Sequence, residues 1–204
     1  HRKLQEILLQ KMDEHIYREM KMIAYLDNSA TTRQYDEVTD LMADIAKNTY
    51  GNPSSLHALG FEAEKAVKEG RTIMARAIGC SQEEVYFTSC GTESDNTIIM
   101  GCAGPSRKPR NNRKRIISTQ VEHPAVLEPL NELERQGFEV IRLKVDGQCR
   151  VDLDELKRSL TEDTILISVM TVNNETGSIM PIEEIGRIKA EFNREHGTSV
   201  LLHP

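Results

Sequence analysis

Between residues 85 and 202 the apolar pattern changes period repeatedly, from short strand-like runs to the three- and four-residue steps of a helix. The strand segments are 85–88, 115–119, 139–143, 164–170 and 199–202, and the helical ones between them are 93–102, 125–136, 153–160 and 182–196. A strand followed by a helix long enough to cross back predicts a parallel neighbour, and a parallel sheet needs both faces covered. The fold class is therefore α/β, a mostly parallel sheet with helices on both faces. Two more helices precede this region, 38–48 and 56–78, separated by the breaker-rich Tyr50-Gly51-Asn52-Pro53-Ser54-Ser55, with Gly79 as a stop for the second. At the start, Leu4, Ile7, Leu8, Met12, Ile16 and Met20 trace one face of an amphipathic helix. A short apolar run, 23–26, then ends in the polar turn Asp27-Asn28-Ser29.

Composition excludes several classes of function. Of 204 residues, 26 are Lys or Arg and 32 are Asp or Glu, a formal charge of −6 that argues against a nucleic-acid binder. No apolar stretch approaches the ~20 residues of a membrane span. The opening residues are charged throughout and lack a secretory core, so the expected location is the cytoplasm. Cys80, Cys90, Cys102 and Cys149 are widely spaced and read as reduced thiols. No His or Cys pair has ligand spacing, so no metal is expected. The basic run 107–115, with Pro109 and two Asn, reads as a solvated loop.

Three segments carry polar chemistry at the ends of expected strands. In Phe87-Thr88-Ser89-Cys90-Gly91-Thr92-Glu93-Ser94-Asp95-Asn96 a strand gives way to a glycine turn and a helix that Thr92 is positioned to cap. A helix start with free N–H groups is a natural phosphate seat. The segment matches neither the triphosphate nor the dinucleotide glycine pattern. His123 follows a buried strand and precedes Pro124, a favoured first helical residue, and its side chain exchanges protons near neutral pH. Asn173-Asn174-Glu175-Thr176-Gly177 forms a polar turn past the next apolar strand. Loops at the carboxyl edge of a parallel sheet are where open α/β folds bind ligands. The residues alone thus reach an α/β enzyme acting on or through a small phosphorylated ligand, and not its reaction.

These segments occur in order with two more. Tyr25-Leu26-Asp27-Asn28-Ser29-Ala30-Thr31-Thr32 and Tyr50-Gly51-Asn52-Pro53-Ser54-Ser55-Leu56-His57 come first; Val121-Glu122-His123-Pro124-Ala125-Val126 and Asn173–Gly177 follow the glycine turn. Together they resemble the cysteine desulfurases, pyridoxal-phosphate enzymes of the class V aminotransferase group, over residues 25–204. The resemblance implies a fold-type-I enzyme, normally a homodimer, that takes sulfur from L-cysteine and releases alanine, in a family that serves iron–sulfur cluster assembly through sulfur-acceptor proteins. It implies that Gly91 and Thr92 hold the phosphate of pyridoxal 5'-phosphate, that His123 stacks on the ring and assists proton transfer, and that Asn174 binds near the ring hydroxyl and the substrate. The loop 28–32 is expected near the site.

Two parts are expected, an amphipathic helical extension over residues 1–21 outside the family match and the amino-terminal part of the cofactor-binding domain over 22–204. In the family the segment after Ser199-Val200-Leu201-Leu202 runs into His-x-Asp-Ala-x-Gln, whereas the sequence here ends at His203-Pro204. The family's ring-nitrogen aspartate, its Schiff-base lysine and its sulfur-accepting cysteine would all fall later. The expectation is that these 204 residues alone are inactive and either self-associate or are marginally stable. Selenocysteine lyase, another class V activity, and a non-catalytic binding or assembly module are the alternatives.

Overall fold

The computed structural model describes residues 24–104 and 114–204. The helix expected within residues 1–21 and the basic residues 107–113 lie outside the described residues. Contacts divide the chain into two units, 1–36 and 37–204. In the first, residues 28–30 form a turn in which the Ala30 and Thr31 N–H groups donate to the Asp27 carbonyl, and Asn28 Nδ2 donates to that of Tyr25 at 3.1 Å. The apolar run 23–26 builds no strand among the described residues; Leu26 is exposed.

Helix α1 (Asp36–Asn48) lies almost wholly in the second unit, and helix α2 (Ala58–Ile78) follows. The His57 ring caps α2 by accepting the Gly60 N–H at 3.2 Å. The turn before it packs so closely that a Cβ on Gly51 or Gly60 would meet the carbonyl of Leu59 or Ser55. Gly79 closes α2 in the left-handed conformation, as expected of its position.

Helix α3 (Gly91–Ala103) precedes an alternating series: β1 (Arg115–Thr119), α4 (Pro124–Arg135), β2 (Glu139–Leu143), α5 (Leu153–Ser159), β3 (Thr164–Ser168), α6 (Ile182–His196) and β4 (Leu201–His203). The four strands pair in parallel, in the order β2-β1-β3-β4. Arg115 grips both carboxylate oxygens of Glu139, its register partner, at 2.8 and 2.9 Å.

The two-residue strand period divides the core. Ile116 and Leu166 pack with Ile99 of α3 and with Val126, Leu130 and Leu133 of α4. Their neighbours Ile117 and Ile167 pack instead with Leu156 of α5 and Ile185 of α6. Each layer withdraws several large side chains from water, on the order of 2 kcal/mol apiece.

The expected strand 85–88 is a correction. Its Val-Tyr-Phe-Thr has strong β propensity, yet these residues form no strand and have no pairing partner among the described residues, and Tyr86 is 82% exposed. Propensity expresses fit to a pleated, half-buried surface, and without a neighbouring strand it builds no ladder. The strand expected over 164–170 ends at Ser168, and that expected over 199–202 is the three-residue β4.

Candidate active site

The strand order decides where a ligand can enter. From β1 the chain moves to β2 on one side, and from β3 to β4 on the other, so the loops after β1 and β3 part company and open a crevice.

A carboxylate and an amide span that crevice. Glu122, 6% exposed, accepts the Thr119 hydroxyl at 2.7 Å and the Met170 N–H at 3.1 and 3.2 Å, joining the end of β1 to the segment after β3. Burial pushes its pKa above the ordinary glutamate value, against those hydrogen bonds, and the nearby charge of Asp95 adds to the rise. Asn173, 5% exposed, donates from Nδ2 to the Val121 carbonyl at 2.9 Å. Its Oδ1 accepts the N–H groups of Glu175 and Thr176 at 3.0 and 2.9 Å, shaping its own loop as well. The sequence alone assigns neither residue a role. Their signal is a carboxylate and an amide directly after apolar strands, where burial demands partners.

His123 is the residue before α4, with Pro124 in the first turn, and it is exposed. Its Nδ1 accepts the Ala125 N–H at 3.1 Å, so the neutral imidazole carries its hydrogen on Nε2, facing away from its own backbone. Asn174 stands exposed beside buried Asn173.

At the start of α3 the capping residue is Cys90 rather than Thr92; Gly91 and Thr92 lie in the first helical turn. Helical geometry leaves the N–H groups of that turn without intrahelical acceptors, so Thr92 serves as a donor and not as a cap. A Cβ on Gly91 would meet nothing within 4 Å, which marks the helix start as open. The Glu93 carboxylate accepts both the N–H and the hydroxyl of Ser89 at 2.6 Å, and those bonds, the hydroxyl's foremost, lower its pKa. The exposed Cys90 thiol is lowered too, by the Glu93 N–H and then by the Ser89 hydroxyl.

Two cavities meet at His123. A groove of about 610 Å³ between α3 and α4 is lined by Thr92, Asn96, His123 and Pro124. A cavity of about 300 Å³ in the crevice is lined by His123, Glu122, Asn174 and Cys149. Thr92 and Asn174 thus line separate cavities that share His123, and Gly91 adjoins Thr92. The loop 28–32 belongs to the first unit. Among the described residues no helix is long and apolar enough to cross a membrane.

Comparison with known proteins agrees with this architecture. The family model described as Aminotransferase class-V matches residues 24–195. A cysteine desulfurase of Trichormus azollae is 47% identical over 167 residues, which is 81% of this chain and 40% of that protein. Cysteine desulfurase IscS of Dictyoglomus turgidum is 47% identical over 174 residues, 85% of this chain and 43% of the other. Among solved structures, a NifS-like protein superposes with a TM-score of 0.82 at 41% identity, over 89% of this chain and 48% of that one. SspA in complex with cysteine gives 0.77 at 28% identity, over 88% and 50%. The chain thus spans about half the length of the relatives it matches.

Proposed function

The chain belongs to the class-V aminotransferase family, and from that premise we propose that it is the amino-terminal half of a pyridoxal 5'-phosphate-dependent cysteine desulfurase acting on L-cysteine. The observation that carries the reading is that Thr92 and His123 line one groove while His123 and Asn174 line the next. The donor set fits the cofactor: two backbone N–H groups and a hydroxyl at a positive helix end suit a phosphate, and an aromatic ring and an amide suit a polar heterocycle.

In this reading the Gly91 and Thr92 N–H groups and the Thr92 hydroxyl bind the phosphate. His123 lies against the ring, held in orientation by its bond from Ala125, and holds a proton at Nε2. Asn174 orients the ring hydroxyl and the substrate. When bound, the cofactor supplies an electron-accepting ring that labilises bonds around the amino acid's α-carbon. The net change is transfer of one sulfur atom from L-cysteine to an acceptor thiol, with a proton taken up at the β-carbon to leave alanine. The lysine, aspartate and cysteine of the family's later segments come from the rest of the protein. Two copies of that whole protein pair in the cytoplasm and pass sulfur to an acceptor protein. The unburied apolar stripe Val38, Leu41, Met42 and Ile45 of α1 supports the pairing.

The test uses the full-length protein that contains this half. It is expected to form one alanine per L-cysteine consumed. Thr92→Val should weaken cofactor binding roughly tenfold, the worth of a hydrogen bond to a charged group. His123→Ala should lose turnover while retaining cofactor. Full turnover by both variants, or no alanine from loaded wild-type protein, overturns the reading. Selenocysteine assayed alongside separates the lyase alternative.

A further inference from the structure

His203 joins three elements on the sheet near the α3 start. Its Nδ1 lies 3.0 Å from the Ser168 hydroxyl at the end of β3, and its Nε2 lies 3.5 Å from Asp95 Oδ1 in the second turn of α3. The His203 side chain is 13% exposed, that of Asp95 26%, and Ser168 is buried. The arrangement is self-consistent: a Ser168 hydroxyl donating to Nδ1 leaves the hydrogen of the neutral ring on Nε2, aimed at Asp95.

The beginning of α3 has few other tethers. Ile99 is its one buried residue. Residues 86–93 are exposed, and a polar tie to α4 runs from Asn96 Nδ2 to the Ala125 carbonyl at 3.4 Å. A helix start that must present its N–H groups at a set position needs rigid support, because misplacement by about an ångström costs binding and rate.

We infer that His203 is a positioning residue for the anion seat at the start of α3, holding Asp95, and with it Gly91 and Thr92, against β3 and β4. This rests on the reading of Gly91 and Thr92 as that seat. The function assigned to His123 does not use His203, and Ser168 is too deeply buried to meet a ligand. Asp95 is the charged group that faces His203, and Glu122 faces Asp95 from the β1–α4 loop.

Substitutions that keep one leg of the imidazole separate positioning from simple packing. Gln at 203 offers an amide donor near Nε2 and retains the Asp95 leg; Asn offers its Oδ1 acceptor near Nδ1 and retains the Ser168 leg. The readout is the affinity of the cofactor-free full-length protein for inorganic phosphate, followed by the amide NMR shift of Thr92. His203→Asn and Asp95→Ala are each expected to weaken phosphate binding about fivefold, the worth of one ordinary hydrogen bond. His203→Gln should stay within about twofold of wild type. Equal loss in the Gln and Asn variants, or unchanged affinity in both His203→Asn and Asp95→Ala, overturns the inference. Asp95→Ala decides alone if His203→Asn fails to fold. Thr92→Val is the separate arm: if it leaves phosphate affinity untouched, the seat itself is misassigned, whatever His203 does.

Discussion

At the scale of single residues, neighbours in the chain have opposite fates. Asn173 is buried with all its polar atoms engaged, and Asn174 is exposed in the cavity. Asn173→Ala strands the Val121 carbonyl and two loop N–H groups, so chemical denaturation should show a loss of about 2–3 kcal/mol, against under about 0.5 for Asn174→Ala. Glu122 makes a pH prediction. Its folded pKa is raised above the ordinary value of 4.5, so the folded state holds the proton more tightly than the unfolded state. The stability tied to that proton is complete below the ordinary value and is lost as pH rises through the raised one. Glu122→Gln, whose amide carbonyl can keep the Thr119 and Met170 bonds, should abolish that decline relative to wild type. Parallel stability–pH curves for the two proteins would refute it. Both residues were visible in the sequence as types, but burial was not, because it depends on packing across the crevice.

Among the elements, α4 carries its own anomaly. Pro129 sits inside the helix and has no N–H to offer the Ala125 carbonyl one turn back. Asn96 of α3 supplies that donor at 3.4 Å, so a defect in one helix becomes a link between two. Pro129→Ala restores the intrahelical bond and makes the link redundant. In a double-mutant cycle Asn96→Ala should therefore cost about 1 kcal/mol in the wild-type background and close to nothing beside Pro129→Ala. Equal costs in both backgrounds would show that Asn96 acts elsewhere. Element positions were largely legible: the 3.6-residue pattern located α6, and Gly79 and Pro124 marked a helix end and a helix start. Residues 85–88 were misread because a strand is completed by its neighbour, and no local pattern supplies one.

Across the whole molecule, apolar surface is spread unevenly. Helix α1 buries none of its residues, and α2 buries only Gly60, Ala63 and Ala75 while leaving Leu59, Phe61, Ile73 and Met74 exposed. Unpartnered patches of this kind drive association. The 204-residue chain purified alone should sediment above monomer mass and bind a hydrophobic dye; a dye-free monomer with a sharp, cooperative thermal transition would contradict this. The α/β class, the helices of the sheet region and the chemical character of three loops followed from the sequence itself, because period, caps and turn residues act over a few positions. The order β2-β1-β3-β4, the burial of Glu122 and Asn173, and the place of His123 between the cavity of Thr92 and that of Asn174 were decided only in the tertiary structure. They rest on contacts such as Asn173 to Val121, 52 residues apart, and partners that distant leave no periodic trace in either segment.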